Sequence, residues 1–287
     1  MPCESRYQAP SPNGTQAAVH CKDHSLYLVS IPGGAQREVV PAERRPSAYV
    51  FSPDGRWLAA GFPDGTVELM ATQDNAPAKH WKADSHRIDG LYFFPNSEML
   101  LVAPVDSRGQ VWELAGTPTL RASLPVDFGG LVAYAVSPDG KLLVAAGDDT
   151  VVRWYDTATW QKTQEYSGFL LETFALAFTP DGKQVLAGGA DSRITALDAA
   201  TAKQLRQLPT EPGAYIADIQ MLGDGQRAAT LYLDDAGEKP PHAVIWNLAT
   251  AHSAALKFDS PPSCAGVVGG KFWSCTTDGK TLTIVEE

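Results

Sequence analysis

Short apolar segments alternate with polar turns along the whole chain. Segments such as LVAYAV (131–136) and TFALAF (173–178) precede a polar tetrapeptide, and segments such as LLVAAG (142–147) follow one. Apolar runs of this length, bounded by Gly, Pro, Asp and Asn, are typical of buried β-strands. The pattern therefore predicts an all-β protein.

The polar tetrapeptide recurs at a nearly constant spacing. Successive copies begin 41, 42, 43, 42, 43 and 45 residues apart. The copies begin at Ser11 (SPNG), Ser52 (SPDG), Phe94 (FPNS), Ser137 (SPDG), Thr179 (TPDG), Leu222 (LGDG) and Val267 (VVGG). A period of about 40 to 45 residues is that of a four-stranded propeller blade. Seven copies predict a seven-bladed β-propeller.

Each of the first six copies carries the signals for four antiparallel strands, which we call a, b, c and d in chain order. Pro and Asp in SPDG favour a tight turn that Gly closes, so this tetrapeptide joins strand a to strand b. A second turn, rich in Asp and Gly, joins b to c, as in PDG (63–65). Strand d is the most polar, as in KQLRQL (203–208), which is typical of an outer strand exposed to solvent.

A bulky residue is expected at one position of strand c, seventeen residues after the tetrapeptide begins. This column contains Leu28, Leu69, Trp154, Ile284 and, after insertions, Trp112 and Trp246, with Ala196 as the exception. Large side chains in such a repeated column are expected to pack between neighbouring sheets. We therefore interpret these tryptophans as core residues.

The copies fill the chain, so a single domain over residues 1–287 is expected. The approximate blades are 1–43, 44–86, 87–128, 129–170, 171–213, 214–260 and 261–287. The last copy runs through strand c (TLTIVE, 281–286), and residues 1–5 are too few to supply a fourth strand. We therefore predict a monomeric ring whose last blade has three strands.

Several segments resemble the WD-repeat propeller family in its bacterial style. They are SPDGK and VRWYDTAT within 137–159, TPDGK and ITALDAAT within 179–201, QVWEL (110–114) and VIWNLAT (244–250). The resemblance covers essentially the whole chain and implies a closed ring of four-stranded sheets that presents its faces to other proteins. The chain departs from the family pattern because no copy has an adjacent Trp-Asp or a Gly-His dipeptide. His86 is the nearest approximation to the histidine of the family's Asp-His-Ser-Trp hydrogen-bond network.

The charge of the chain narrows the class of partner. Acidic residues outnumber basic residues by 33 to 23, and the formal net charge is -10. No run of Lys or Arg supplies the basic surface that nucleic acid or anionic lipid requires. The apolar segments are also far shorter than the roughly 20 residues that cross a bilayer. We therefore expect no nucleic-acid partner and no transmembrane segment.

Four cysteines lie in the two terminal copies. Cys3 and Cys21 belong to the first copy, and Cys264 and Cys275 belong to the last. Each pair lies across one predicted hairpin, as expected of short-range disulfides in an oxidising compartment. We expect both pairs to be bonded in a periplasmic or secreted protein. The alternatives are a bond between Cys3 and Cys264, and four buried free thiols in a cytoplasmic protein.

The motifs that would indicate catalysis or metal binding are weak. No G-x-S-x-G is present, so nothing places a nucleophilic serine on a strand-to-helix turn. His20 and His24 flank a turn, but zinc requires three or four convergent ligands. We therefore assign no catalytic residue, no metal ligand and no cofactor.

The b–c turns and d–a loops are the candidates for binding, because these connections lie on the same face of a propeller. Phe169, Leu170 and Leu171 stand in a row in one d–a loop, and Phe128 stands in the neighbouring loop. Such a cluster in charged loops is typical of an interface hot spot, although it can also fold inward as a loop core. The charged candidates are Asp64, Asp106, Arg108, Asp148, Asp149, Asp191, Arg193 and Asp235.

The acidic turns favour a partner with a basic surface, although Asp in a tight turn needs no partner. The sequence therefore favours a non-enzymatic scaffold that binds another protein through one propeller face. The alternative is a propeller enzyme, lactonase-like or a cofactor-dependent hydrolase or oxidoreductase, with its site at the central channel. That alternative requires several converging side chains, and strand a offers the carboxylates of Asp89, Glu172 and Asp218. A further alternative is one module of a larger polypeptide.

Overall fold

A computed structural model describes residues 3, 5–74, 76–124, 131–208, 215–233, 242–255, 262–268, 271–276 and 282–285. These residues form 27 strands and one 3-10 helix, Ala42–Arg44. Strands that are neighbours in the chain pair antiparallel within each sheet, as in the pair formed by Gln16–Cys21 and Leu26–Ser30. The all-β, antiparallel prediction is confirmed. Contacts divide the chain into two compact units, 1–131 with 278–282 and 132–277 with 283–287, which we call the N-terminal and C-terminal units.

The N-terminal unit contains three four-stranded sheets. The first comprises β1 (Ser5–Pro10), β2 (Gln16–Cys21), β3 (Leu26–Ser30) and β4 (Gln36–Val40). The second comprises β5 (Ala48–Phe51), β6 (Trp57–Gly61), β7 (Thr66–Ala71) and β8 (Lys79–Lys82). The third comprises β9 (Ile88–Phe93), β10 (Met99–Pro104), β11 (Gly109–Glu113) and β12 (Thr119–Leu124).

Three more four-stranded sheets lie in the C-terminal half of the chain. The fourth comprises β13 (Leu131–Val136), β14 (Leu142–Gly147), β15 (Val152–Asp156) and β16 (Lys162–Tyr166). The fifth comprises β17 (Thr173–Phe178), β18 (Gln184–Gly189), β19 (Ile194–Asp198) and β20 (Gln204–Leu208). The sixth comprises β21 (Tyr215–Met221), β22 (Arg227–Leu233), β23 (His242–Asn247) and β24 (His252–Ala255).

The last sheet has three described strands, β25 (Pro262–Val268), β26 (Lys271–Thr276) and β27 (Leu282–Val285). Six described sheets are therefore complete with four strands, which is one fewer than a ring of seven complete blades requires. The three-stranded sheet falls where the sequence predicts an incomplete blade. Closure of the sheets into a seven-bladed ring stays a prediction.

The SPDG turns are fixed by hydrogen bonds inside the tetrapeptide. Ser137 Oγ donates to Asp139 Oδ1 at 2.7 Å, and Gly140 N donates to Ser137 O at 2.8 Å. Gly140 has a φ of +72°, a conformation that glycine adopts without steric cost. The bond from Ser137 stabilises the charged form of Asp139 and thereby lowers the pKa of this carboxyl. The local chemistry of the tetrapeptide is thus sufficient to define the turn between strands a and b.

Strand c packs in the core, as the repeated column of bulky residues predicts. Leu69 and Trp154 are buried, and so is Ala196 at the same position of the fifth sheet. Trp154 packs in one cluster with Val144, Leu176 and Phe178. The tryptophan of this column is therefore a packing residue, as we interpreted it.

Two tryptophans were assigned to the wrong position of strand c. The first residue after strand c donates from its N–H to the carbonyl that precedes strand b in the same sheet. These bonds join Thr157 to Lys141, Leu114 to Glu98 and Leu248 to Gln226. Counted from these bonds, Trp112 and Trp246 correspond to Tyr155 and not to Trp154. Insertions before strand c shifted the residue count from the tetrapeptide by one. Because side chains alternate along a strand, a shift of one residue places the side chain on the opposite face of the sheet.

Outer strands also tie neighbouring sheets together within each unit. A long side chain on strand d donates to a backbone carbonyl at the end of strand c, or just beyond it, in the next sheet. The bonds run from Arg37 to Ala71 (2.6 Å), from Lys79 to Leu114 (2.9 Å) and from Gln164 to Ala200. The polarity of strand d therefore has a structural use in addition to its exposure.

Candidate functional site

The b–c turns and d–a loops of one unit share one end of its sheets, because successive strands are antiparallel. We call this end the upper edge of the unit. In the C-terminal unit it includes the turn 148–151, the loop 167–172 and the turn 190–193. In the N-terminal unit it includes 41–47, 62–65, 83–87 and 105–108.

The loop 167–172 separates its three apolar residues into one buried and two exposed side chains. Phe169 is 7% exposed and contacts Tyr166 edge-on, with ring centroids 5.3 Å apart. It belongs to the cluster that contains Trp154, so its assignment to a binding surface is corrected to the loop core. Leu170 and Leu171 are 69% and 51% exposed. The two leucines therefore form an apolar pair on the surface, which we call the leucine pair.

Both ends of this loop are held in place. Glu172 O accepts a hydrogen bond from Ala190 N at 3.0 Å. A Cβ at Gly189 would collide with the same carbonyl, and a Cβ at Gly168 would collide with the ring and hydroxyl of Tyr166. Glycine is therefore required at position 189, where the obstacle is backbone, whereas a Cβ at position 168 would displace the Tyr166 side chain. The leucine pair is exposed on a fixed loop.

The two adjacent carboxylates Asp148 and Asp149 differ in whether they form an ion pair within the protein. Asp148 is exposed. Asp149 binds the buried Arg153 through both oxygens, with one N–O distance of 3.0 Å. Burial acts to raise the pKa of Asp149, but the bonds from Arg153 outweigh it and the pKa lies below its ordinary value. Asp149 thus forms an ion pair within the protein, and its place in a binding surface stays a prediction.

Three further charged residues, Asp191, Arg193 and Glu172, lie on the same edge as the leucine pair. Asp191 is partly buried, and its Oδ1 accepts a hydrogen bond from Arg193 N at 3.1 Å. Burial raises the pKa of the Tyr166 hydroxyl, and the charge of Asp191 raises it further. Asp191 is therefore close enough to the loop to act on it electrostatically. The Arg193 side chain and that of Glu172 are exposed.

The upper edge of the N-terminal unit presents charged side chains, most of them engaged with neighbours. Arg44 lies 4.3 Å from the centre of the Phe62 ring and 2.8 Å from a carboxylate oxygen of Glu68. Asp64 Oδ1 accepts a bond from Thr66 N at 2.9 Å, and Lys82 Nζ donates to Asp64 O. Asp106 and Arg108 are exposed, and their place in a binding surface stays a prediction. The described part of this edge exposes no large apolar side chain.

A hydrogen-bond network centred on Asp84 was not recognised in the sequence. Its Oδ1 accepts bonds from His86 N and lies 2.7 Å from His86 Nδ1, and its Oδ2 accepts bonds from Ser107 Oγ (3.0 Å) and Gln110 Nε2 (3.1 Å). Gln110 Oε1 in turn accepts a bond from Trp112 Nε1 at 3.0 Å. The signal was the DSH triplet before strand a, in which His86 alone had been noted. The network thus joins the loop 83–87 to the turn 105–108 and to strand β11 of the third sheet.

Other sequence-predicted residues are not all within the described structure. Phe128 and Asp235 lie outside the described residues. The sulfur atoms of Cys3 and Cys21 lie within bonding distance, with the two Cα atoms 5.9 Å apart, and backbone pairing places Cys264 directly opposite Cys275. The structure therefore brings the members of each predicted pair together, and the disulfides stay predictions.

The carboxylates that the sequence offered for a catalytic site lie in different surroundings. Asp89 lies 2.6 Å from Arg87, and Glu172 is in the exposed loop. Burial raises the pKa of Asp218, and a bond from Gln220 Nε2 at 2.6 Å partly opposes this effect. Within the described residues no three His, Cys, Asp or Glu side chains are placed to hold a metal ion. No helix in the described chain is long and apolar enough to cross a membrane.

Comparison with known families and proteins agrees with the repeat. Two segments, 47–69 and 127–156, match the family described as WD domain, G-beta repeat. Target of rapamycin complex subunit wat1 of Schizosaccharomyces pombe is 26% identical over 102 residues, which are 36% of this chain and 32% of that protein. Actin-interacting protein 1-2 of Arabidopsis thaliana is 27% identical over 150 residues, which are 50% of this chain and 24% of that protein. The matches thus span about a third and about a quarter of these two proteins. Both are eukaryotic, and the bacterial style of the repeat is not confirmed.

Solved structures extend the likeness of fold to almost the whole chain. A chain in the crystal structure of the Mitotic Checkpoint Complex has a TM-score of 0.80 at 14% identity and covers 96% of this chain and 88% of that one. The beta-propeller domain of Myceliophteria thermophila Cps50 (Swd1) has a TM-score of 0.79 at 13% identity and covers 99% and 97%. At these identities the likeness supports a β-propeller fold and carries no information on function.

Proposed function

We propose that this protein is a non-enzymatic scaffold that binds a protein partner through the upper edge of the C-terminal unit. The observation that carries the proposal is the leucine pair, Leu170 and Leu171, exposed on a loop that Phe169 anchors in the core. Leucines without a packing role on a fixed loop lose little conformational entropy when a partner covers them. A partner that covers the two leucines would remove their apolar surface from water, which favours association.

Charge around the leucine pair favours a basic partner. Asp148, Glu172 and Asp191 contribute three negative charges, and Arg193 contributes one positive charge. The resulting negative potential would increase the rate at which a partner with Lys or Arg around an apolar centre associates. The likeness to a subunit of a complex and to an actin-interacting protein supports the class of function, without naming the partner.

The enzyme alternative is not proposed, because it requires several converging side chains, and within the described residues no three His, Cys, Asp or Glu side chains are placed to hold a metal ion. We include in the proposal the seven-bladed, monomeric ring over residues 1–287. We also include the periplasmic or secreted location that the cysteine pattern predicts. Size-exclusion chromatography with light scattering tests the monomer, and fractionation of the source cells tests the location.

The function is tested by surface variants at two different places in the C-terminal unit. Leu170→Ser combined with Leu171→Ser removes the leucine pair. Leu205→Ser, on outer strand β20, removes a leucine with the same 51% exposure as Leu171. Affinity purification from the source organism, quantified by mass spectrometry, should lose a partner with the double variant and retain it with Leu205→Ser. Equal recovery with all three proteins would contradict the proposed surface.

The charge of the partner is tested separately. Glu172→Lys combined with Asp148→Lys should weaken the captured complex and reduce its dependence on salt, because like charges then face each other. Unchanged binding in 50 mM and 300 mM salt buffers would show that the partner is not basic.

A further inference from the structure

The a–b turn of the first sheet differs from the corresponding turns of other sheets at two positions. Its sequence is SPNGT (11–15), whereas the second, fourth and fifth sheets have SPDGR (52–56), SPDGK (137–141) and TPDGK (179–183). Asn thus stands in place of Asp, and Thr stands in place of Lys or Arg. Among the four asparagines of the chain, Asn13 is the one that begins an N-x-S/T triplet, the acceptor pattern of N-linked glycosylation.

In the other turns the two changed positions form an ion pair. Asp54 Oδ1 accepts hydrogen bonds from Ser52 Oγ at 2.6 Å and from Arg56 N at 3.0 Å. Asp54 Oδ2 lies 2.6 Å from Arg56 Nε. The corresponding distances are 3.6 Å for Asp139 and Lys141 and 4.0 Å for Asp181 and Lys183. One carboxylate oxygen therefore fixes the turn, and the other faces the basic side chain.

Asn13 fixes its turn with the side-chain oxygen alone. Asn13 Oδ1 accepts hydrogen bonds from Ser11 Oγ at 2.8 Å, from Thr15 N at 3.1 Å and from Thr15 Oγ1 at 2.7 Å. Asn13 Nδ2 corresponds to the second oxygen of Asp54, and it donates to no group of the described chain. The turn therefore does not need the amide nitrogen, which is the atom to which an N-linked glycan is attached.

The amide nitrogen of Asn13 is on the surface. Asn13, Gly14 and Thr15 are all exposed. A Cβ at Gly55, in the a–b turn of the second sheet, would stand 3.0 Å from Asn13 Nδ2, and the φ of +71° at this position favours glycine. Glycine therefore leaves that side of the amide open. Because a–b turns and b–c turns lie at opposite ends of a sheet, a glycan here would leave the upper edge of the N-terminal unit uncovered.

We propose that Asn13 is an N-glycosylation site, modified by transfer of an oligosaccharide from a lipid diphosphate donor. A bond forms between Asn13 Nδ2 and the anomeric carbon of the first sugar, and the bond from that carbon to the phosphate oxygen breaks. The amide proton passes to a base of the transferring enzyme, and the lipid diphosphate is the leaving group. The attached glycan adds a bulky polar group to the surface.

The proposal rests on the periplasmic or secreted location proposed for this protein. Transfer of this kind takes place outside the cytoplasm, where disulfides also form. The first sheet contains both features, because the sulfur atoms of Cys3 and Cys21 lie within bonding distance. The site does not depend on the leucine pair, so either surface can fail its test without the other.

Peptide mapping of the protein purified from its source organism tests the site. Trypsin releases residues 7–22, which contain Asn13, and mass spectrometry follows this peptide before and after treatment with a peptide N-glycosidase in heavy-oxygen water. The expected result is a glycan mass that the enzyme removes, with residue 13 converted to Asp carrying heavy oxygen. An untreated sample is the control for spontaneous deamidation of the Asn-Gly pair.

Three variants separate the loss of the acceptor from damage to the turn. Asn13→Asp keeps the oxygen that fixes the turn, as Asp54 does, and should carry no glycan. Its urea midpoint should equal that of the deglycosylated parent. Thr15→Ala should also lose the glycan, whereas Thr15→Ser keeps the hydroxyl and should retain it.

The outcomes distinguish failure of the site from failure of the location. If Asn13 is unmodified in protein recovered from an oxidising compartment, the glycosylation proposal is wrong and the location stands. If Asn13 is unmodified in protein that fractionates with the cytoplasm and has four free thiols, both proposals are wrong. A glycan that persists in Asn13→Asp would lie on another residue and would also overturn the assignment.

Discussion

In the N-terminal unit the upper edge holds Arg44 against Phe62 and Glu68, whereas in the C-terminal unit it leaves Leu170 and Leu171 outside the core. A d–a loop thus packs its side chains against its own unit in one case and exposes two leucines to solvent in the other. On the first edge most long side chains satisfy other groups of the same unit. On the second, one aromatic residue fixes the loop and two leucines gain nothing from the fold. Exposed apolar side chains that do not pack in the core are what distinguish the proposed binding surface.

Removal of the aromatic anchor should have the largest effect on this contrast. Phe169→Ala is expected to lower the free energy of unfolding by about 3 to 5 kcal/mol, because it leaves a cavity beside Trp154 and Tyr166. Partner binding should be lost as well, because the leucine pair is no longer held. Urea denaturation gives the stability, and Leu170→Ala is the matched control, with a change within about 0.5 kcal/mol. A stable Phe169→Ala protein would mean that the loop does not depend on its anchor.

The first and last sheets each carry one predicted cysteine pair, and removal of the first pair should lower stability. Cys3→Ala should lower the free energy of unfolding by about 3 kcal/mol, because the bond to Cys21 closes a segment with a sequence separation of 18. The measurement is chemical denaturation without reductant, and dithiothreitol should bring the parent protein to the same value. Peptide mapping without reduction should also find Cys264 bonded to Cys275. Four free thiols would favour the cytoplasmic alternative.

Disruption of the Asp84 hydrogen-bond network should lower the free energy of unfolding without affecting binding of the partner. Asp84→Ala removes the acceptor of His86, Ser107 and Gln110, and it is expected to lower the free energy of unfolding by about 1 to 3 kcal/mol. Asp106→Ala, on the same edge but exposed, should change it by less than about 0.5 kcal/mol. Both variants should retain the partner. Loss of the partner with Asp84→Ala alone would move the binding surface to this unit.

One partly buried carboxylate in each unit should produce a smaller, pH-dependent effect. Burial acts to raise the pKa of Asp84 and Asp149, but bonds from His86 and Arg153, respectively, leave both values below the ordinary one. Because the folded pKa lies below the unfolded value of about 3.9, their stabilisation is complete above about pH 5. It is lost as the pH falls through the folded values. Urea midpoints of Asp84→Asn and Asp149→Asn should therefore decrease less than the parent's between about pH 5 and pH 2.5. Parallel decreases would show that neither group contributes.

Local chemistry explains what the sequence could predict. The bond from Ser137 to Asp139 and the positive φ of Gly140 are confined to four residues, so the SPDG turn could be read without the rest of the fold. Strand boundaries follow from such turns. The position of Trp112 and Trp246 could not be read in this way, because an insertion before strand c changes the count and only pairing with strand b restores it.

The candidate site depended on contacts between distant residues and was predicted less well. Three apolar residues in a row are equivalent in sequence, and Phe169 turns inward because Tyr166 and Trp154 leave a space for its ring. The adjacent Asp148 and Asp149 likewise look alike until Arg153 binds one of them. The Asp84 network joins two connections more than twenty residues apart and has no pattern within either.

The ties between neighbouring sheets have a consequence for how the repeats can diverge. In each tie the donor is a side chain of an outer strand, such as Arg37 or Lys79, and the acceptor is a main-chain carbonyl. Every residue type carries that carbonyl. The acceptor residue at the end of strand c can therefore be replaced without loss of the hydrogen bond, provided that the backbone conformation is kept. The donor position on strand d tolerates few replacements, because it needs a long side chain with an N–H group.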